Sequence, residues 1–139
     1  MMKIKISIII LLLIVSTMLV KASPFITKWD LSIAGSGATQ LSFGVGTSGT
    51  ASYSWETIPA GQTGSGTFTG STLTITGLPA GAMIRLSIDS ANFNRININY
   101  GVDCERLLDV EQWGTGKWTS METAYYGSIN LNITATDIP

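Results

Sequence analysis

The sequence contains no histidine and a single cysteine, Cys104, in 139 residues. Without histidine, a Ser, Cys or Thr nucleophile lacks its usual base, so triad-type catalysis has nothing to draw on. One cysteine closes no disulfide within the chain and, with histidine missing, builds no Cys/His zinc site. Cys104 therefore reads as a small buried hydrophobe, with a disulfide between chains as the sharper alternative. Positive charge is scarce as well. Beyond residue 22 only Lys28, Arg85, Arg95, Arg106 and Lys117 are basic, against nine acidic residues, which leaves a formal charge of −4. Nucleic-acid binders gather phosphates with a basic face, and these five cations do not supply one.

Only one long hydrophobic run exists. Lys3 and Lys5 precede apolar residues 6–20, and the small residues Ala22 and Ser23 follow. This is the layout of a secretory signal peptide, residues 1–22, with cleavage between Ala22 and Ser23. The run is 15 residues long and carries Ser7, Ser16 and Thr17, short of the roughly 20 apolar residues that a spanning helix needs. The membrane is therefore a partner only during export. The expected destination is the cell surface or the medium, with the periplasm as the remaining alternative.

Past the leader, alternation with period two dominates up to residue 100, bounded by glycine and small polar residues. Phe25, Trp29 and Leu31 share one face of FITKWDL, and Leu41, Phe43 and Val45 share one face of QLSFGVG. Tyr53 and Trp55, Leu73 and Ile75, then Ile84, Leu86 and Ile88 repeat the pattern, and NRININY adds Ile96, Ile98 and Tyr100. Between them AGSGAT, GTSGT, PAGQTGSG and LPAGA read as turns. Six or seven short strands with frequent turns predict a small antiparallel β-sandwich over residues 23–100. Its core is expected to centre on Phe25, Trp29, Phe43, Tyr53 and Trp55.

Residues 101–139 behave differently. Leu108 and Val110 alternate as a strand, and Met121, Ala124 and Tyr125 then fall at i, i+3, i+4. Thr119 and Glu122 form a T-x-x-E capping box, and Gly127 suits a helix end, so the pattern predicts a two-turn helix over 119–127. A further strand, LNIT, follows. Leu108 to Leu131, Asp109 to Asn132 and Val110 to Ile133 are each 23 residues apart, within the range of a leucine-rich repeat. The segment accordingly reads as one strand-turn-helix unit and the opening of a second. Since about three such units are needed for stability, either the sandwich caps this partial repeat or the chain is the front end of a longer protein. The terminal TATDIP, which does not look like a polar capping repeat, favours the second.

The residues that carry this pattern resemble a known family. Val110-Glu111-Gln112-Trp113-Gly114, Lys117-Trp118-Thr119-Ser120-Met121, Ala124-Tyr125-Tyr126-Gly127, Asn130-Leu131 and Ala135-Thr136-Asp137-Ile138-Pro139 are similar to the first repeat of BspA-like leucine-rich-repeat surface proteins of bacteria. The upstream strands resemble the immunoglobulin-like or PKD-like sandwich that often precedes such repeats. Ser128 departs from the family, which frequently has cysteine there, and the acidic W-G-D-G turn is missing near Tyr53-Ser54-Trp55-Glu56. The resemblance implies export and a non-catalytic role in adhesion or protein–protein binding, with a host or bacterial surface protein or glycan as partner.

Enzyme and cofactor chemistry find little to stand on. The densest acidic set, Asp103, Glu105, Asp109 and Glu111, reads as a solvated strand edge rather than a hydrolytic pair. Calcium could in principle take oxygens from Asp103, Glu105 and Asp109, but no calcium-loop spacing accompanies them. No cofactor is implied. Binding is the stronger alternative: Trp113, Trp118 and Tyr126 are the candidate ligand contacts, and a secreted carbohydrate-binding module using these aromatics is the runner-up reading. Packing competes with that platform role, because Tyr125 shares a stripe with Met121. Tyr126 lies off the stripe and is the candidate for exposure.

Overall fold

The computed structural model describes residues 22–139. The predicted leader therefore lies outside the described residues except for Ala22. The described residues are mainly β, with nine strands among them: β1 (Phe25–Asp30), β2 (Gln40–Thr47), β3 (Ala51–Ile58), β4 (Thr63–Phe68), β5 (Thr72–Thr76), β6 (Met83–Ile88), β7 (Phe93–Asn97), β8 (Leu107–Gln112) and β9 (Asn132–Ile133). They form two sheets, β4-β3-β6-β1-β8-β9 and β5-β2-β7, in a sandwich-like arrangement. Every pairing is antiparallel except β8 with β9. No helix among the described residues is long and apolar enough to cross a membrane.

Alternation explains most of the core. Phe25, Thr27 and Trp29 on β1, Leu41, Phe43 and Val45 on β2, and Ile84, Leu86 and Ile88 on β6 all point into one buried cluster. Each fully buried large apolar side chain contributes roughly 1.5–3 kcal/mol. Trp29 stacks on Phe43 at 4.8 Å, and its indole N–H donates to Thr27 Oγ1 at 2.8 Å, so neither polar atom is stranded in the core.

Tyr53 and Trp55 correct the expected core. Both are only half-buried and pack at its margin, because the three-stranded sheet covers less than the six-stranded one. Their rings instead lie over the edge strand β4: a Cβ on Gly64 would stand 2.6 Å from the Trp55 indole. That strand falls partly within a stretch read as turn. Of its inward positions, Gly64 and Gly66 are filled by rings from β3 and only Phe68, at the end of the strand, reaches the core, so no apolar alternation marks it.

Residues beyond 100 build part of the same sheet. β8 pairs with β1, and its register has two irregularities, which leave Leu108 and Glu111 as extra residues and turn both Leu107 and Val110 inward. The expected pair Leu108 and Val110 is thereby replaced on the core face by Leu107 and Val110.

The helix expected over 119–127 does not form. Among the described residues the single helical element is a 3₁₀ turn, Cys104–Arg106, while the predicted helix is a series of turns with Thr123 at φ 55°. A β-branched residue there breaks an α-helix. The turns instead offer carbonyls to β7's continuation: Ile98, Asn99 and Tyr100 donate to Ala124, Thr123 and Tyr126, and of these only the Thr123 carbonyl would have been used inside a helix over 119–127. The same backbone bends at Asn99 and Tyr100, both at positive φ, and Tyr100 turns out to solvent rather than ending an apolar strand face.

Candidate functional site

The aromatic turn after β8 divides into a buried and an exposed part. Trp113 is 8 % exposed and meets Phe25 at 6.2 Å, Trp118 edge-on at 5.9 Å and Tyr125 at 6.2 Å. Trp118 is half-buried and edge-on to Phe25 and Phe93 at 5.1 and 5.5 Å. These rings pack in the edge-to-face manner that aromatic quadrupoles favour. The Trp118 indole N–H and the Tyr125 hydroxyl have no hydrogen-bond partner among the described residues, and burial pushes the Tyr125 phenol above its ordinary range.

Tyr126 stands apart from this cluster, 57 % exposed, with its ring 5.8 Å from Tyr100, itself 73 % exposed. Of the three candidate contacts, the structure thus brings Trp113 and Trp118 together inside the fold and sends Tyr126 to a separate surface pair. Sequence reasoning missed Tyr100 as its neighbour. The available signal was the Asn99-Tyr100-Gly101 stretch, where a small-polar residue and a glycine bracket the tyrosine. Val102, Ile129, Ile133 and Ile138 are also exposed, at 67, 77, 49 and 84 %, and leave an apolar character on this C-terminal end.

The Trp-Gly turn is held by a residue far along the chain. Trp113 N–H and Gly114 N–H donate to the two carboxylate oxygens of Asp137, each at 2.9 Å. One stretch earlier, Thr134 donates from its N–H and hydroxyl to Asp109 at 3.0 and 2.9 Å. These bonds fasten β9 beside β8 in parallel register, Asp109 opposite Asn132 and Val110 opposite Ile133. The pairs that share the 23-residue offset are therefore neighbours in space.

The acidic set is not the solvated strand edge expected of it. Asp103 is 1 % and Asp109 5 % exposed. Arg106 Nη1 lies 3.1 Å from Asp103, which also accepts from Ser36 N–H, Ser36 hydroxyl and Ser42 N–H. Arg106 donates onward to the carbonyls of Ile33, Gly37 and Gln40, and this buried pair fixes the 33–40 loop. Glu111, with Glu56, binds Arg85, and the hydrogen bond to Glu111 followed by that to Glu56 pushes the guanidinium further above its ordinary range. Among the described residues no three His, Cys, Asp or Glu side chains converge as metal ligands.

No protein-family model, curated protein or solved structure matches this chain.

Proposed function

We propose that this chain is an exported bacterial surface protein acting in adhesion or protein–protein binding without catalysis, its sandwich leading into the opening unit of a BspA-like leucine-rich-repeat region. The observation that carries this reading is the parallel, in-register pairing of β8 with β9 at a 23-residue spacing. A repeat solenoid needs such a pairing, because each unit's strand returns beside the equivalent strand of the one before. Turns rather than an α-helix between the strands are compatible with it, since the connection of such repeats ranges from helix to 3₁₀. The exposed apolar residues flanking β9 support it further, as isolated units cannot bury their own face.

The immunoglobulin-like or PKD-like character of the sandwich belongs to the same proposal. Beads coated with residues 23–139 test the function. They are expected to be retained on host or bacterial cell surfaces, and a Tyr100→Ser/Tyr126→Ser variant is expected to lose at least about tenfold in retention, since exposed tyrosines are frequent binding anchors. Pretreating the target with protease or with glycosidase separates a protein partner from a glycan. Retention no better than that of albumin-coated beads would sink the adhesion reading.

A further inference from the structure

The first residues past the predicted leader are built into the fold. Ser23 N–H donates to Thr115 Oγ1 at 3.0 Å, and Ser23 C=O accepts from Thr115 N–H at 3.0 Å and from the Ser90 hydroxyl. Pro24 C=O accepts from Gln112 Nε2 at 2.7 Å. Across from them stands Gly114 at φ 76°, where a Cβ would come within 2.6 Å of Ser23 O and 2.7 Å of Pro24 backbone atoms. Only glycine lets the chain pass so closely. Ala22, by contrast, is exposed, so the predicted scissile bond joins an exposed residue to one held by hydrogen bonds.

A protease that hydrolyses an internal bond must bind the residues on both sides in extended form, through the same backbone N–H and C=O groups that strands use. On the Ser23 side those groups are already engaged. We infer that the bond between Ala22 and Ser23 is a processing site that the fold itself closes, so that its hydrolysis has to precede docking of residues 23 and 24. The inference rests on the export reading. In the step, water adds across the amide, Ala22 leaves as a carboxylate and Ser23 keeps the nitrogen as an α-ammonium, with a leader peptidase as catalyst. The new ammonium retains the donor that Thr115 Oγ1 accepts, so the processed chain docks through the same contact. A chain that folds first keeps its leader.

The test uses the 139-residue chain with its leader in detergent micelles with purified leader peptidase, followed by intact-mass measurement. Peptidase present when the precursor is diluted from denaturant is expected to release a chain beginning at Ser23. Peptidase added after folding is expected to act at least about 100-fold more slowly, because cleavage then follows the rare opened population. A Ser90→Ala/Thr115→Ala precursor that still melts cooperatively is expected to regain at least about tenfold of that rate, having lost two of the anchoring side chains. Equal rates in the two orders of addition would overturn the inference and leave the leader intact as a reading. Failure to cut after Ala22 in either order would overturn the leader itself. A double variant as protected as its parent would remove Ser90 and Thr115 as the cause.

Discussion

Arg106 and Asp103 form a pair whose value lies in what each would become alone. Their side chains are 2 % and 0 % exposed, and between them they hold six backbone or hydroxyl groups in the 33–42 region. Replacing Arg106 by Met strands the Asp103 carboxylate in the interior, and removing one partner of a buried pair costs about 3–5 kcal/mol. Urea unfolding of Arg106→Met is expected to show that loss, while Glu105→Gln on the exposed side of the same turn stays within about 0.5 kcal/mol. Tyr125 makes a second prediction at this scale, about pH. Its phenol is held above the ordinary value by burial, whereas in the unfolded chain it ionises near pH ~10. Above that pH the unfolded state sheds a proton that the native state keeps, so the stabilisation present below pH ~10 falls away as the pH rises. The parent is expected to lose up to about 1.4 kcal/mol per pH unit more than Tyr125→Phe there. At pH 7 the variant is expected to be at least as stable as the parent, because the hydroxyl it removes has no partner among the described residues. A parallel pair of pH–stability curves would contradict this assignment.

At the level of strands, glycine carries opposite meanings in β2 and β4. Gly44 faces the Asn97 carbonyl so closely that an added Cβ would overlap backbone, and backbone cannot swing aside. Gly64 faces the far end of the Trp55 ring, which can rotate outward at the sheet margin. Gly44→Ala is therefore expected to cost at least about 2 kcal/mol by prising β7 from β2, in the range of overpacked sites. Gly64→Ala is expected to cost less than half of that and to shift tryptophan emission towards the red as Trp55 leaves its place. Equal costs, read from chemical denaturation, would show that the two contacts yield alike. The same contrast explains which strands were legible. β1, β2, β5 and β6 place every second residue in the core, so their apolar alternation is the fold's own imprint. β4 borrows most of its inner surface from Trp55 and Tyr53 and shows a single apolar residue, Phe68, too little for an alternation. In β8 two extra residues reset the phase, which no alternation count anticipates. The helix signal of 119–127 was real locally, with a capping box and a 3-4 spacing, yet Ser120 Oγ rather than Thr119 serves the Glu122 N–H. The tertiary demand of β7 for carbonyl partners outweighs a propensity too short to sustain itself. Of the candidate contacts, Trp113 and Trp118 lie on either side of one short turn and meet in space, whereas the Tyr100–Tyr126 pair depends on a bend that only the folded chain defines.

For the molecule as a whole, the decisive feature is the order of the large sheet. β1 lies between β6 and β8, so the first strand of the described residues is sealed on one side by a strand from beyond residue 100. Leu107 and Val110 of β8 are fully buried in the common cluster, and Trp113 covers Phe25. The 23-residue offset legible in the sequence thus joins residues whose strands also complete the sandwich. A fragment of residues 23–100 would leave the β1 edge unpaired and expose Phe25 and much of the Trp29 environment. Losing Leu107 and Val110 alone forfeits roughly 3–6 kcal/mol of burial, comparable to the whole stability of a small domain. The 23–100 fragment is therefore expected to lack a cooperative thermal transition, and the 101–139 fragment, at the roughly 40-residue limit for unaided folding, is expected to be unstructured. Mixed in equal amounts, the two are expected to recover the β-type circular dichroism of the intact chain, because β8 supplies the missing edge. A cooperative transition in the 23–100 fragment alone would instead make the sandwich self-sufficient and reduce β8 to an attached strand, which would favour a repeat region that folds separately against it.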